Sequence, residues 1–307
     1  MVDNDSIYLK PPATYAEMIS RLKSRGLIVH DEDKAIDLLK RISYYRLTGY
    51  LLAYKLNETQ YKEGLTFENI VDLYHFDMRL RSLLLGILEY VEINMRSLLS
   101  YHLAHKYGAE CYNDPGNFSF RNPSEYDKFT AKLFEELNRS KEVFVTHHKQ
   151  NYYQKYPIWV AIEVLSFSSL SMLYTNLKPE DKRVISKQLG LKTNKLMDSW
   201  LYSLCVLRNR CAHFSRIYNT KLTHQVALTF NAKALDIRSN SIYGAVFIMK
   251  YLVQDKTIWN NWVTELNALF DRYAHICDIG RLGFYQDWEV HLRSVPTDII
   301  LDATKHT

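Results

Sequence analysis

Apolar residues along this chain recur at steps of three and four, the spacing that lines one face of an α-helix. The clearest run follows Phe76 through Leu80, Leu83, Ile87, Val91, Met95 and Leu98 to His102. Thr66-Phe67-Glu68-Asn69 marks its start and Gly108 its end. That predicts about 30 periodic residues, or roughly 45 Å of helix at 1.5 Å per residue. Residues 15–24 predict a first amphipathic helix stopped by Gly26. Asp31-Glu32-Asp33 suits the positive end of a second helix, expected over 34–54, with Gly49 bending or ending it.

Further along, residues 112–124 hold Pro, Gly, Asn and Ser and read as a loop. Ser124 then opens a helix to about residue 138. Pro157 suits the first position of a helix over 158–176. Pro179 opens a short helix that Gly190 closes, and Thr193 is an N-cap for one running through Leu196, Trp200, Leu204 and Leu207. One more strong helix is expected over 243–273. No alternating run is bounded by hairpin turns and no fixed-period repeat appears, so the expected fold class is all-α.

Composition adds limits. Of 307 residues, 47% are apolar and 24% charged, the balance of a globular protein. The most apolar stretch, 158–173, is interrupted by Glu163 and serines and is too short to span a membrane. The first residues, Met-Val-Asp-Asn-Asp-Ser, carry no secretory pattern, so a cytoplasmic protein without a membrane partner is expected. The four cysteines form no CxxC pair, so no thiolate zinc site is expected, and neither a phosphate-cradling glycine loop nor a nucleotide fingerprint appears, so no cofactor is expected. A net charge of +5 permits a polyanionic partner.

The candidate chemistry lies in Leu207-Arg208-Asn209-Arg210-Cys211-Ala212-His213-Phe214-Ser215-Arg216. Arg followed by His with four to six residues between them also occurs at Arg25/His30 and Arg96/His102, so spacing alone selects nothing. The first of these straddles Gly26 in a loop. The second lies within the long helix, where His102 continues the apolar face as a packing residue. Arg208 and His213 close an apolar helix. On an ideal helix they point about 140° apart, whereas Asn209 and His213 share a face. Asn209 is therefore expected to orient the imidazole, and Arg208 to act from a neighbouring surface. An imidazole exchanges protons near neutral pH, and a guanidinium holds a phosphate bidentately.

The segment Arg208-Asn209-x-Cys-Ala-His213-x-Ser-Arg216-x-x-Asn219 resembles the signature of the abortive-infection (Abi) family of the AbiD/AbiF type, within the HEPN superfamily. Tyr44-Tyr45-Arg46-Leu47-Thr48-Gly49-Tyr50 resembles that family's N-terminal motif. The segment from Tyr74 to Arg81, with Glu89, Glu92 and Arg96, resembles its first core helix. Pro157-Ile158-Trp159-Val160, and Gly283-Phe284 with Trp288, resemble later segments. Phe214 departs from the pattern, which has a second His there.

The resemblance implies a HEPN-like helical bundle with an N-terminal helical extension. The expected division is a helical, RNA-contacting region over 1–65 and a HEPN-like domain with C-terminal helices over 66–307. It also implies a metal-independent endoribonuclease of antiviral defence, with the 2′-OH as nucleophile and 2′,3′-cyclic phosphate and 5′-OH products. His213 would be the general acid or base, Arg208 the transition-state stabiliser, and the protein a homodimer restrained by a partner such as a small non-coding RNA. The alternative is a non-catalytic module that holds a structured RNA or a protein partner. Several side chains carry two readings at this point. Glu89, Glu92 and Arg96 form either an intrahelical salt-bridge row or a support for the site. Arg216 and Asn219 either bind flanking phosphates or cap the helix end. Tyr44, Tyr45, Arg46 and Tyr50 either stack on RNA or pack their helix.

Overall fold

The computed structural model describes residues 11–191 and 193–295. Fourteen α-helices and four short 3-10 turns occur among them, with no strand or sheet, so the all-α expectation holds. No helix among the described residues is long and apolar enough to cross a membrane. The chain divides into two compact units. Among the described residues one holds 11–79 with Asp271–Cys277, and the other 80–270 with 278–295.

In the first unit, α1 (Tyr15–Ser24) starts with a capping box: Thr14 Oγ1 accepts from Glu17 N–H, and the Glu17 carboxylate accepts from Thr14 N–H. Asp31 caps α2 (Glu32–Arg41), and Ser43 caps α3 (Tyr44–Leu51). The fourth helix, α4 (Phe67–Tyr107), has 41 residues, about 60 Å. Thr66 and Asn69 exchange side-chain-to-backbone hydrogen bonds of 3.1 Å at its start, and Gly108, at φ +89°, follows its last residue. The unit boundary falls between Arg79 and Leu80, inside this helix. Ile19, Leu22, Leu39, Leu47, Ile70 and Phe76 form the unit's core. Tyr50 is 1% exposed, and its hydroxyl donates to Asp77 at 2.7 Å.

The second unit continues along α4. It adds α5 (Pro123–Arg139), α6 (Val143–Asn151), α7 (Ile158–Ala161), α8 (Phe167–Thr175), α9 (Pro179–Gln188) and α10 (Asn194–Ala212). Then follow α11 (Phe230–Ala234), α12 (Ile242–Leu252), α13 (Lys256–Arg272), whose last two residues fall in the first unit, and α14 (Trp288–Arg293). Every residue of α12 is buried, as expected of a helix surrounded by others. Helix α10 packs on α8, α9 and α12, burying Trp200, Leu204 and Leu207.

Three expected helices are interrupted. The 34–54 run breaks where Ile42 is extended and the Ser43 hydroxyl accepts from Arg46 N–H, while Gly49 lies within α3. The 158–176 run breaks at Leu165, which is extended, and Ser166 caps the next helix by accepting from Ser169 N–H at 3.2 Å. The 243–273 run breaks before Asp255, whose carboxylate accepts from Thr257 and Ile258 N–H. In each case a side-chain oxygen replaces a backbone carbonyl as acceptor, and apolar spacing carries no sign of that exchange.

His102 does pack within the bundle, and it does so on a charge. Asp181, fully buried in the first turn of α9, accepts from His102 Nε2 at 2.6 Å, Lys106 Nζ at 2.6 Å and the Tyr107 hydroxyl at 2.7 Å. Burial alone would raise the carboxyl pKa, but the hydrogen bonds from Lys106, His102 and Tyr107 prevail and hold it below its ordinary value. A depressed folded-state pKa contributes stability that is present above the unfolded value, near 3.9, and is lost as pH falls through the folded one. Asp181→Asn is expected to cost about 1.5–3 kcal/mol at neutral pH and to flatten the acid limb of the stability curve. Urea unfolding at pH 7 and pH 3 checks this. An acid limb unchanged from wild type would rule out Asp181 as its source.

Candidate functional site

Helix α10 presents its last turn through ordinary capping. Thr193 Oγ1 accepts from Lys195 N–H at its start. At its end, Phe214 N–H donates to Cys211 O at 3.1 Å and Ser215 N–H to Arg210 O at 2.9 Å, the bond pair of a Schellman motif. His213 is the C-cap. Phe214 takes the left-handed position at φ +58° that glycine occupies at least cost. The chain thereby leaves the helix axis at His213, whose imidazole is exposed. An aromatic residue in this conformation is strained. Phe214→Gly is expected to raise unfolding free energy by about 1 kcal/mol; a loss in urea unfolding would mean that the packing of the ring outweighs the strain.

Arg208, half-buried one turn earlier, is held by two side chains. Its Nη2 lies 3.4 Å from Glu92 Oε2, and its Nη1 donates to Asn209 Oδ1 at 3.3 Å. Glu92 on α4 is 5% exposed and shares its other oxygen with Arg96 Nη2 at 2.7 Å. Arg96 also donates to Leu165 O at 2.8 Å, the carbonyl freed by the break before α8. The resulting chain of contacts runs from Leu165 through Arg96 and Glu92 to Arg208. Glu92 and Arg96 thus bond to each other within α4, and Glu92 alone reaches across to the Arg208 helix. Glu89 is exposed and has no ion pair among the described residues, so it belongs to neither.

Asn209 is placed differently from the expectation. Its amide nitrogen lies 3.5 Å from Ser168 Oγ and 3.7 Å from Cys205 Sγ, and its oxygen accepts from Arg208. Its link to His213 is the backbone bond from His213 N–H to Asn209 O, at 2.9 Å. Asn209 therefore positions the guanidinium and leaves the imidazole alone. Burial raises the Cys205 thiol pKa, so at neutral pH Cys205 is a protonated neighbour.

Arg210 is the residue that spacing missed. Its guanidinium donates to Arg216 O and Thr220 Oγ1, both at 2.8 Å, and to Lys221 O at 3.0 Å. It folds the segment after His213 back onto α10. The available signal was a basic residue in a last helical turn, where orphan carbonyls lie. Arg216 donates to Tyr218 O at 3.2 Å, and Asn219 sits at φ +52°, so both shape the turn.

In the first unit, Tyr45 is 82% exposed, Arg46 is exposed and Tyr44 is half-buried with its ring edge-on to Tyr45. Tyr50 is a correction. Buried on Asp77, it packs α3 and offers no face to a nucleic acid.

A family model described as Abi-like protein matches residues 37–219, more than half of the chain. The matched span holds Tyr44, Glu92, Arg96, Arg208, His213 and Asn219. No curated protein and no solved structure matches the chain.

Proposed function

The chain belongs to the Abi-like protein family, and from that premise we propose that it is a HEPN-type endoribonuclease of the AbiD/AbiF kind, cutting RNA in the cytoplasm without a metal. Family membership supports a role in abortive infection, a defence by arrest of the infected cell. The observation that carries the catalytic reading is the pairing of a guanidinium held by Glu92 and Asn209 with an exposed imidazole at the end of the same helix.

In this reaction the 2′-oxygen attacks the adjacent phosphorus while its proton passes to an imidazole, and the bond to the 5′-oxygen breaks. The leaving oxygen takes a proton, and a 2′,3′-cyclic phosphate and a 5′-OH remain. Arg208 offsets the charge that grows on the non-bridging oxygens. A homodimer would bring two His213 imidazoles to one centre, one to accept the proton and one to donate. Tyr44, Tyr45 and Arg46 supply aromatic faces and a cation for a bound RNA, including a small non-coding RNA that restrains the enzyme.

The test offers the purified protein an RNA and its 2′-deoxy analogue in the presence of a chelator, and identifies the new ends. Cleavage of RNA alone, with cyclic phosphate ends, is expected. Equal cleavage of both strands, or 3′-OH ends, would dismiss the reading. A second reading, a module that holds RNA uncut, is favoured by one observation: among the described residues no side chain hydrogen-bonds the His213 imidazole. Uncut RNA co-purifying in stoichiometric amount, with Arg208→Ala keeping both binding and phenotype, would select it.

A further inference from the structure

A polar pocket in the second unit has no part in the reaction described above. It is lined by Asn219, Thr220, Lys221, Arg238, Ser241 and Arg281, among others. Three of its lining residues are cationic, and Asp278 is its single acid. Asp278 lies 3.5 Å from Arg281 Nε and also accepts from Gly280 N–H at 2.9 Å. Arg238 donates to Gly280 O at 2.9 Å and, like Lys221, has no carboxylate partner among the described residues. The pocket therefore carries an excess of two positive charges.

Its walls are fixed. The buried Ser241 hydroxyl donates to Arg238 O at 2.7 Å and accepts from Gly244 N–H at 2.9 Å. Gly283, at φ +94°, passes so close that a Cβ there would stand 2.5 Å from Ser241 Cβ. The fully buried Tyr218 accepts from Asp278 N–H at 3.1 Å, tying the 278–283 turn to the segment that follows His213. The Arg210 bonds to Thr220 and Lys221 attach the same wall to the last turn of α10. A strand that places its scissile linkage at Arg208 and His213 thus has a cationic recess held to the same helix end.

We propose that this pocket binds backbone phosphates of the RNA strand flanking the cleaved linkage, with Arg238 and Lys221 as the recognising cations. The assignment rests on the nuclease reading for its substrate, although binding is measurable without cleavage. The experiment titrates a fluorescent 2′-O-methyl oligonucleotide, which lacks the nucleophile, against wild type, Lys221→Gln/Arg238→Gln and, as an equal-charge control, Lys233→Gln on α11. At fixed salt the double variant is expected to bind about tenfold more weakly. Its plot of log K against log salt should be shallower by about 1.4, the effect of two phosphate contacts on a single strand. Lys233→Gln should stay within about twofold of wild type. Thermal melting confirms the fold, and Lys221→Gln alone, an exposed change, gives the same direction with half the slope change.

A double variant that binds like wild type with an unchanged salt slope overturns the proposal. If the wild type still cuts RNA in that case, the pocket alone is wrong. Wild type that binds the strand through these two cations but leaves RNA uncut upholds the pocket and overturns the nuclease. Binding of a nucleoside 5′-monophosphate that needs Arg238 and Lys221, when strand binding does not, would make this a mononucleotide site and overturn the strand assignment.

Discussion

Replacing Arg208 or His213 with Ala is expected to lower RNA cleavage by about 10²–10⁴-fold, the range for losing a general acid–base or an electrostatic stabiliser. Little stability should be lost with it. His213 is exposed and serves the helix end through its backbone, and exposed substitutions mostly stay within about 0.5 kcal/mol. Removal of Arg208 leaves Glu92 bonded to Arg96 at 2.7 Å, so no buried charge is orphaned. Arg208→Lys keeps the charge but loses the planar fork, and should fall between wild type and Arg208→Ala. If the two residues act as a unit, the double variant is scarcely worse than either single one. The measurement is single-turnover cleavage of a defined RNA at saturating protein. Activity within about threefold of wild type in either Ala variant would remove that residue from the chemistry.

The second large effect falls on stability. Glu92→Ala is expected to cost about 3 kcal/mol, because it strips the nearer carboxylate from Arg96 in a largely buried setting and leaves it only the half-exposed Glu163, at 3.9 Å. Arg208, whose side chain is 34% exposed, can turn to water and should contribute less of that loss. Adding Arg96→Met removes the stranded charge and should recover a substantial part of the stability. Urea unfolding of the two variants decides it. A second substitution that deepens the loss would show that Arg96 is held chiefly by Leu165 O and Glu163, and that Glu92 is secondary. In the Glu92→Ala protein that stays folded, cleavage should fall as well, since the guanidinium has lost one of its two anchors.

The sequence was most informative where a residue type has a single geometric use. Gly108 and Gly190 at positive φ, Pro179 at a first turn and Thr193 as a cap each ended or began a helix where their chemistry requires. Interruptions were hidden where a hydroxyl or carboxylate replaced one backbone carbonyl without disturbing the apolar spacing, as at Ser43, Ser166 and Asp255. In the candidate site, Arg208 and His213 were visible from order along the chain. What holds Arg208 was visible only as one of two readings of the same row. Glu92 lies 116 residues before Arg208, and the spacing that pairs it with Arg96 suits an intrahelical row equally well. Asn209 was misread because a four-residue step places two side chains on one face only while the helix continues, and here it ends between them.

The break before α8 has a longer reach than its size suggests. In an unbroken helix the Leu165 carbonyl would accept from Ser169 N–H, and Arg96 would lose an acceptor. Here the Ser166 hydroxyl takes that N–H, and the carbonyl is left for the guanidinium. A methyl group at position 166 would invite the two helical pieces to heal into one rod, with Arg96 and the backbone competing for a single oxygen. The alignment of Arg208 thus hangs, three contacts away, on a serine that touches neither it nor His213.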